Sequence, residues 1–230
     1  MSTQIEISPQ NVVHKAPSSS TGGTTHTEID TLLWRMKARL PAKAELGKVI
    51  ALTSCCREAG VSTLIANLAV RAVDNHMGPV LIIDANMSAP KQHRLFRQKV
   101  KVGFVDVIIG SMAPAEAVVP TSVDSLDLIP LGQPSNLESG RIIPENCDEI
   151  LNWARQNYAT IFVDLPQIDE MRHGLMLARK ADVTMIAIRS DAVRRSSAVQ
   201  SVDRLIADGV TVTGTILTRQ TVATPRFLRS

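Results

Sequence analysis

The chain has 230 residues, 44% of them hydrophobic and 20% charged, with a formal charge of +3, which suits one α/β domain with a sizeable core. Its Lys and Arg residues are scattered, so the mild basicity gives no nucleic-acid footprint, and no apolar run approaches the ~20 residues of a membrane span. The opening MSTQIEISPQ lacks a basic region followed by an apolar one, so no secretory signal is expected.

Residues 1–25 carry the run APSSSTGGTT and read as a flexible leader. A helix is expected over 26–40, starting at Thr27 with Asp30 three residues on, as in a capping box. Ile29, Leu32, Leu33, Met36 and Leu40 form one apolar stripe, which ends before Pro41. The domain extends over 26–220, with its core at 48–217 and a tail at 221–230.

Within the core, short apolar runs alternate with helical patterns. The strand candidates are 49–54, 79–84, 126–131, 159–164, 183–189 and 211–217. The helix candidates are 61–76, 90–98, 103–110, 144–157, 173–180 and 196–208. The strands are nearly continuous in apolar character, as expected where a parallel sheet is covered on both faces. Such alternation predicts a three-layer, doubly wound α/β fold with a mainly parallel sheet, which binds ligands at the carboxyl ends of its strands. Cys55, Cys56 and Cys147 make neither a disulfide framework nor a zinc pattern, and fit reduced thiols in a cytoplasm.

The chemistry gathers at three strand ends. TSCCREAGVSTL (53–64) leads from a strand through a glycine-bearing turn into a helix, the layout of a phosphate-binding loop. The second strand ends at Asp84 and the fourth at Asp164. Gly60, Val61, Ser62 and Thr63 are the candidate phosphate-binding positions, with Arg57 as a candidate source of positive charge. Ser62, Asp84, Asn86 and Asp164 are the candidate Mg²⁺ ligands, and Asp84 and Asp164 the candidate catalytic carboxylates. Together these features predict a fold of the P-loop NTPase type.

Several stretches resemble the cytoplasmic domain of the bacterial tyrosine kinases of exopolysaccharide biosynthesis, within the MinD/ParA-like class. TSCCREAGVSTLIANLAV is similar to that family's Walker A loop and helix, and VLIIDANMSAPKQHRLF to its second strand-end motif. GFVDVIIGSMAPAEAVV, LDLIPLGQPSN and NYATIFVDLPQ match later segments. The resemblance covers about five-sixths of the chain and implies ATP and Mg as cofactors if the site works. It also implies a cytoplasmic location at the inner face of the membrane. The implied partners are an inner-membrane chain-length regulator or an active paralogous kinase, and homo-oligomers are a further implication. A direct membrane span and nucleic acid are not implied.

The departures fall on the chemistry. Val61 stands at the Walker lysine, Asn86 at the second Asp of Asp-x-Asp, Ser88 at the usual basic residue, and Thr218 at an adenine-recognising Asn. The tail TVATPRFLRS has no tyrosine, and Tyr158, the one tyrosine of the chain, reads as a packing residue. In the helix motif Glu-x-x-Arg-x-x-Arg, which pairs subunits in the family, Glu28 is kept. Thr31 and Trp34 replace the arginines, with Arg35, Lys37 and Arg39 nearby. A charged hydrogen bond is worth ~1.5–3 kcal/mol, so losing the lysine should weaken nucleotide binding roughly ten- to a hundredfold. The expectation is a degenerate pseudokinase. The alternatives are a working kinase or ATPase in which Arg57 or a partner's side chain restores the charge, and a ParA/MinD-type partitioning ATPase relying on the basic cluster at 91–101.

Overall fold

The structure, a computed structural model, describes residues 6–7, 23–40, 46–139, 141–189 and 192–218. Its strands are β1 (Glu6–Ile7), β2 (Lys48–Ser54), β3 (Val80–Asp84), β4 (Val119–Pro120), β5 (Leu126–Ile129), β6 (Thr160–Asp164), β7 (Val183–Arg189) and β8 (Val212–Thr218). They form one eight-stranded sheet in the order β1-β8-β7-β2-β6-β3-β5-β4. Every neighbouring pair is parallel except β4 with β5 at the edge. The helices are α1 (Gly23–Lys37), α2 (Val61–Asp74), α3 (Gln92–Leu95), α4 (Phe104–Ile108), α5 (Asn136–Ser139), α6 (Pro144–Asn157), α7 (Gly174–Lys180) and α8 (Arg195–Ala207).

Successive side chains of a strand point to opposite faces, and here each face meets its own core. Ile50 and Leu52 of β2 pack with α1 and α2, in a cluster that includes Leu32, Leu33, Ile65 and Leu68. Val49 and Ala51 of the same strand join a second cluster with Phe104, Ile150, Leu151 and Leu177 from α4, α6 and α7. Burial on both sides is the physical cause of the continuous apolar runs, and the result is the three-layer, doubly wound arrangement expected. Ala66, Ala69 and Ala72 are buried along α2, which crosses behind β2, β3 and β6.

Two expectations about the N-terminal part need correction. The helix begins at Gly23, not Thr27, so Thr27 and Asp30 lie inside it and not at its N-terminus. Asp30 instead faces α2, where Arg71 donates to both of its carboxylate oxygens, at 2.8 and 2.6 Å. The expected leader is also not wholly separate, since Glu6–Ile7 pair with Leu217 and Thr218 of β8. Residues 23–25 of the expected leader fall in α1, while its residues 1–5 and 8–22 and the tail 221–230 lie outside the described residues. The apolar stripe holds: Ile29, Leu32, Leu33 and Met36 are buried.

The Asp30–Arg71 pair is bidentate and about three-quarters buried on both sides, so it fixes α1 on α2 more firmly than an exposed ion pair would. Asp30→Ala should lower stability by about 1–2 kcal/mol, read as a drop in the urea midpoint at unchanged slope.

Candidate functional site

The phosphate-loop candidate sits where the fold places ligands, at the carboxyl end of β2. Gly60 precedes α2 with φ of 83°, a left-handed conformation that glycine adopts without steric cost. It turns the chain so that the first turn of α2 opens on a cleft of about 330 Å³. Arg57, Gly60, Val61, Ser62, Thr63, Asn86, Ser88, Lys91 and Glu170 are among the residues lining it. The structure therefore brings the predicted phosphate-binding positions into one place.

Their chemistry differs from position to position. Val61 is buried, 7% exposed, and belongs to the α1–α2 core cluster. Arg57 is turned across the cleft mouth to Glu170, donating from Nε at 3.1 Å and from Nη2 at 2.6 Å to the same oxygen. Gln167 donates to that oxygen too, at 2.9 Å. Hydrogen bonds from Ser88 and then Arg57 hold the Glu170 carboxyl below its usual range. Arg57 therefore faces a carboxylate, and phosphate would have to compete with it.

Asp84 and Asp164 end adjacent strands and stand opposite each other in the β3–β6 register. Both are fully buried behind the cleft wall. Asp84 accepts main-chain N–H bonds from Asn86 at 3.2 Å and Gln92 at 3.1 Å. Asp164 accepts from the Gln92 carboxamide at 2.7 Å, and the same nitrogen donates to the Ser62 carbonyl at 3.0 Å. Burial, and then the Asp164 charge, push the Asp84 carboxyl well above its ordinary range. Burial likewise raises Asp164 to about 6, opposed by Gln92, Ser62 and Asn86.

The other candidates have their own partners. Asn86 turns its side-chain oxygen to the Ala89 N–H, at 3.1 Å, so it caps its own loop. Thr218 is buried at the end of β8 and does not line the cleft. Tyr158 packs edge-to-face on Trp153 and donates to Asp127 at 2.8 Å, a packing role. Thr31 and Trp34 are exposed on α1, with the Lys37 ammonium 5.0 Å from the Trp34 ring centre. Burial raises the Cys55 thiol to about 11, which keeps it neutral near pH 7.

Three site residues were not anticipated: Glu170, Lys91 and Gln92. Lys91 lines the cleft, and its charge favours ionised Asp164. Gln92 is fully buried at the start of α3. The segment reads as a solvated basic face, yet Gln92, Leu95 and Phe96 stand at i, i+3 and i+4. That spacing was the available signal that Gln92 points inward.

Comparison with known proteins agrees with this geometry. The chain is 28% identical over 169 residues to tyrosine-protein kinase wzc of Salmonella typhimurium, covering 74% of this chain. Its homologues are bacterial tyrosine-protein kinases. The chain spans 23% of the length of that relative. The kinase domain of the Escherichia coli tyrosine kinase ETK superposes with a TM-score of 0.77 at 18% identity, covering 96% of this chain and 91% of that one. The septum-site-determining protein MinD from Pyrococcus horikoshii, complexed with Mg-ADP, gives a TM-score of 0.63 at 18% identity, covering 74% and 70%. The fold is therefore that of the P-loop NTPases. No family model matches the chain. Among the described residues no helix is long and apolar enough to cross a membrane.

The two carboxyls carry a pH consequence. An acid with a raised native pKa binds more protons folded than unfolded, so its stabilisation is present at low pH and lost as pH rises through the native value. Stability should therefore fall as pH rises from the ordinary carboxylate range to about 6 for Asp164. Asp164→Asn keeps an acceptor for Gln92 but removes the charge. Its urea midpoint should exceed the wild type's more at about pH 7.5 than at about pH 4.5, and equal offsets would contradict this.

Proposed function

We propose that the protein is a catalytically degenerate, kinase-like partner in exopolysaccharide polymerisation and export, keeping the P-loop fold for its surface and not for ATP turnover. The pathway rests on the resemblance to the bacterial tyrosine kinases. The loss of chemistry rests on one observation: the side chain at the Walker lysine position is the buried Val61, while the nearby Arg57 is held by Glu170. Lysine there would place a charge on the β- and γ-phosphates, and transition-state charge would need it even more.

In this reading the protein works at the inner face of the cytoplasmic membrane, recruited by a partner. That partner is a membrane chain-length regulator or an active paralogous kinase, and self-association through α1 would fit the same role. Exposed Trp34 and the basic side chains of Arg35 and Lys37 supply a surface on that helix.

A second reading, an ATP-dependent kinase or ATPase, draws on Lys91, a cation that also lines the cleft. Titration with ATP and Mg²⁺ separates the two. Wild type should bind weakly and show no hydrolysis or phosphate transfer. Val61→Lys should bind roughly ten- to a hundredfold more tightly. Micromolar binding with turnover by wild type, abolished by Lys91→Ala, would establish the second reading instead.

A further inference from the structure

Gln92 joins three parts of the site at once. Its main-chain N–H donates to Asp84 on β3, and its carboxamide Nε2 donates to Asp164 on β6 and to the Ser62 carbonyl in the first turn of α2. The residue is fully buried, as are both carboxylates. Two buried oxygens, Gln92 Oε1 and Asp164 Oδ1, are left without a hydrogen-bond partner.

The fold family implies Mg²⁺ at this position, and the residues do not fit it. Mg²⁺ demands near-octahedral oxygen coordination at about 2.0–2.1 Å and usually keeps several waters. Both Asp84 oxygens already accept main-chain N–H bonds, and the Asn86 oxygen accepts from Ala89. Asp164 Oδ2 faces an amide N–H, whose positive end repels a cation, so Oδ1 is the one oxygen of the two carboxylates left without a donor, far short of an octahedral set.

We propose that Gln92 is the internal occupant of the metal position, its carboxamide bridging the strand-tip carboxylate to α2 where a P-loop enzyme uses a divalent ion. The amide supplies directed N–H donors in place of charge, so the three elements are tied together without nucleotide or metal. A cation entering would have to break the bonds to Asp164 and Ser62 and displace a buried side chain. Removing the amide should therefore turn the position back into a cation site, because Asp84 and Asp164 remain side by side at the tips of adjacent strands. This deepens the reading of a degenerate site and can fail separately from it. Turnover by wild type would defeat that reading, whereas the behaviour of Gln92 variants toward metal alone tests only this inference.

The test uses Mn²⁺ without nucleotide, read by thermal unfolding and by loss of the free-ion EPR signal, on the full chain. Wild type should show neither a shift in Tm nor bound Mn²⁺ at millimolar ion. Gln92→Glu brings three carboxyls into one buried cluster. It should melt lower than wild type in chelator and recover by roughly 5–10 °C at a hundredfold excess of Mn²⁺ over Kd. Gln92→Ala removes the donor without adding charge and should also gain bound Mn²⁺. A wild type that binds Mn²⁺, or folded variants that ignore it, would overturn the proposal. Should neither variant fold, the wild-type EPR titration still decides, since retained Mn²⁺ contradicts an occupied site and its absence agrees with one.

Discussion

Two carboxylates facing each other at the tips of adjacent buried strands are the constraint on which this site depends. Asp84 and Asp164 share a register position in the middle of the sheet, out of contact with water. Like charges so placed must be neutralised by protons, a cation or hydrogen bonds. Here main-chain amides serve Asp84, and the Gln92 side chain serves Asp164. The same glutamine reaches the Ser62 carbonyl, so the solution to the charge problem also sets the start of α2. The phosphate loop, both strand tips and α3 are thus held as one unit by donors the chain itself provides.

A second contact works in the same direction at the mouth of the cleft. Arg57 offers a charge near the phosphate positions, but Glu170 accepts it through two donors. The carboxylate also introduces negative charge where a nucleotide would bring more of it. Because Arg57 is largely exposed, this ion pair contributes little to stability. Its importance is local, since it commits the guanidinium to Glu170. Val61 completes the change by giving its side chain to the hydrophobic core. The loop keeps the backbone geometry of a phosphate-binding turn, and Lys91 lines the same cleft as Arg57.

Most of the fold was legible in the chain because strands covered on both faces read as unbroken apolar runs, and the helices between them are amphipathic. The six long strands and the main helices fall where the pattern puts them. The two-residue edge strands β1 and β4 were not visible, because two residues carry no periodicity. The start of α1 was misplaced because Asp30 looked like a capping partner, and only the folded chain shows Arg71 opposite it. At the site, the loop and both aspartates were found from their positions after strands. Gln92 escaped because a buried glutamine among Lys, His and Arg resembles a solvated face, and its role depends on a contact 72 residues away in sequence. Glu170 escaped for the same reason, since its pairing with Arg57 spans the cleft.

The most direct measurement is the anomalous scattering of crystals grown with Mn²⁺ and a non-hydrolysable ATP analogue. A site closed by its own glutamine predicts no manganese peak between Asp84 and Asp164, with Gln92 Nε2 still in contact with Asp164. A manganese ion bonded to Asp164 and bridging to nucleotide phosphates, with Gln92 swung aside, would contradict it.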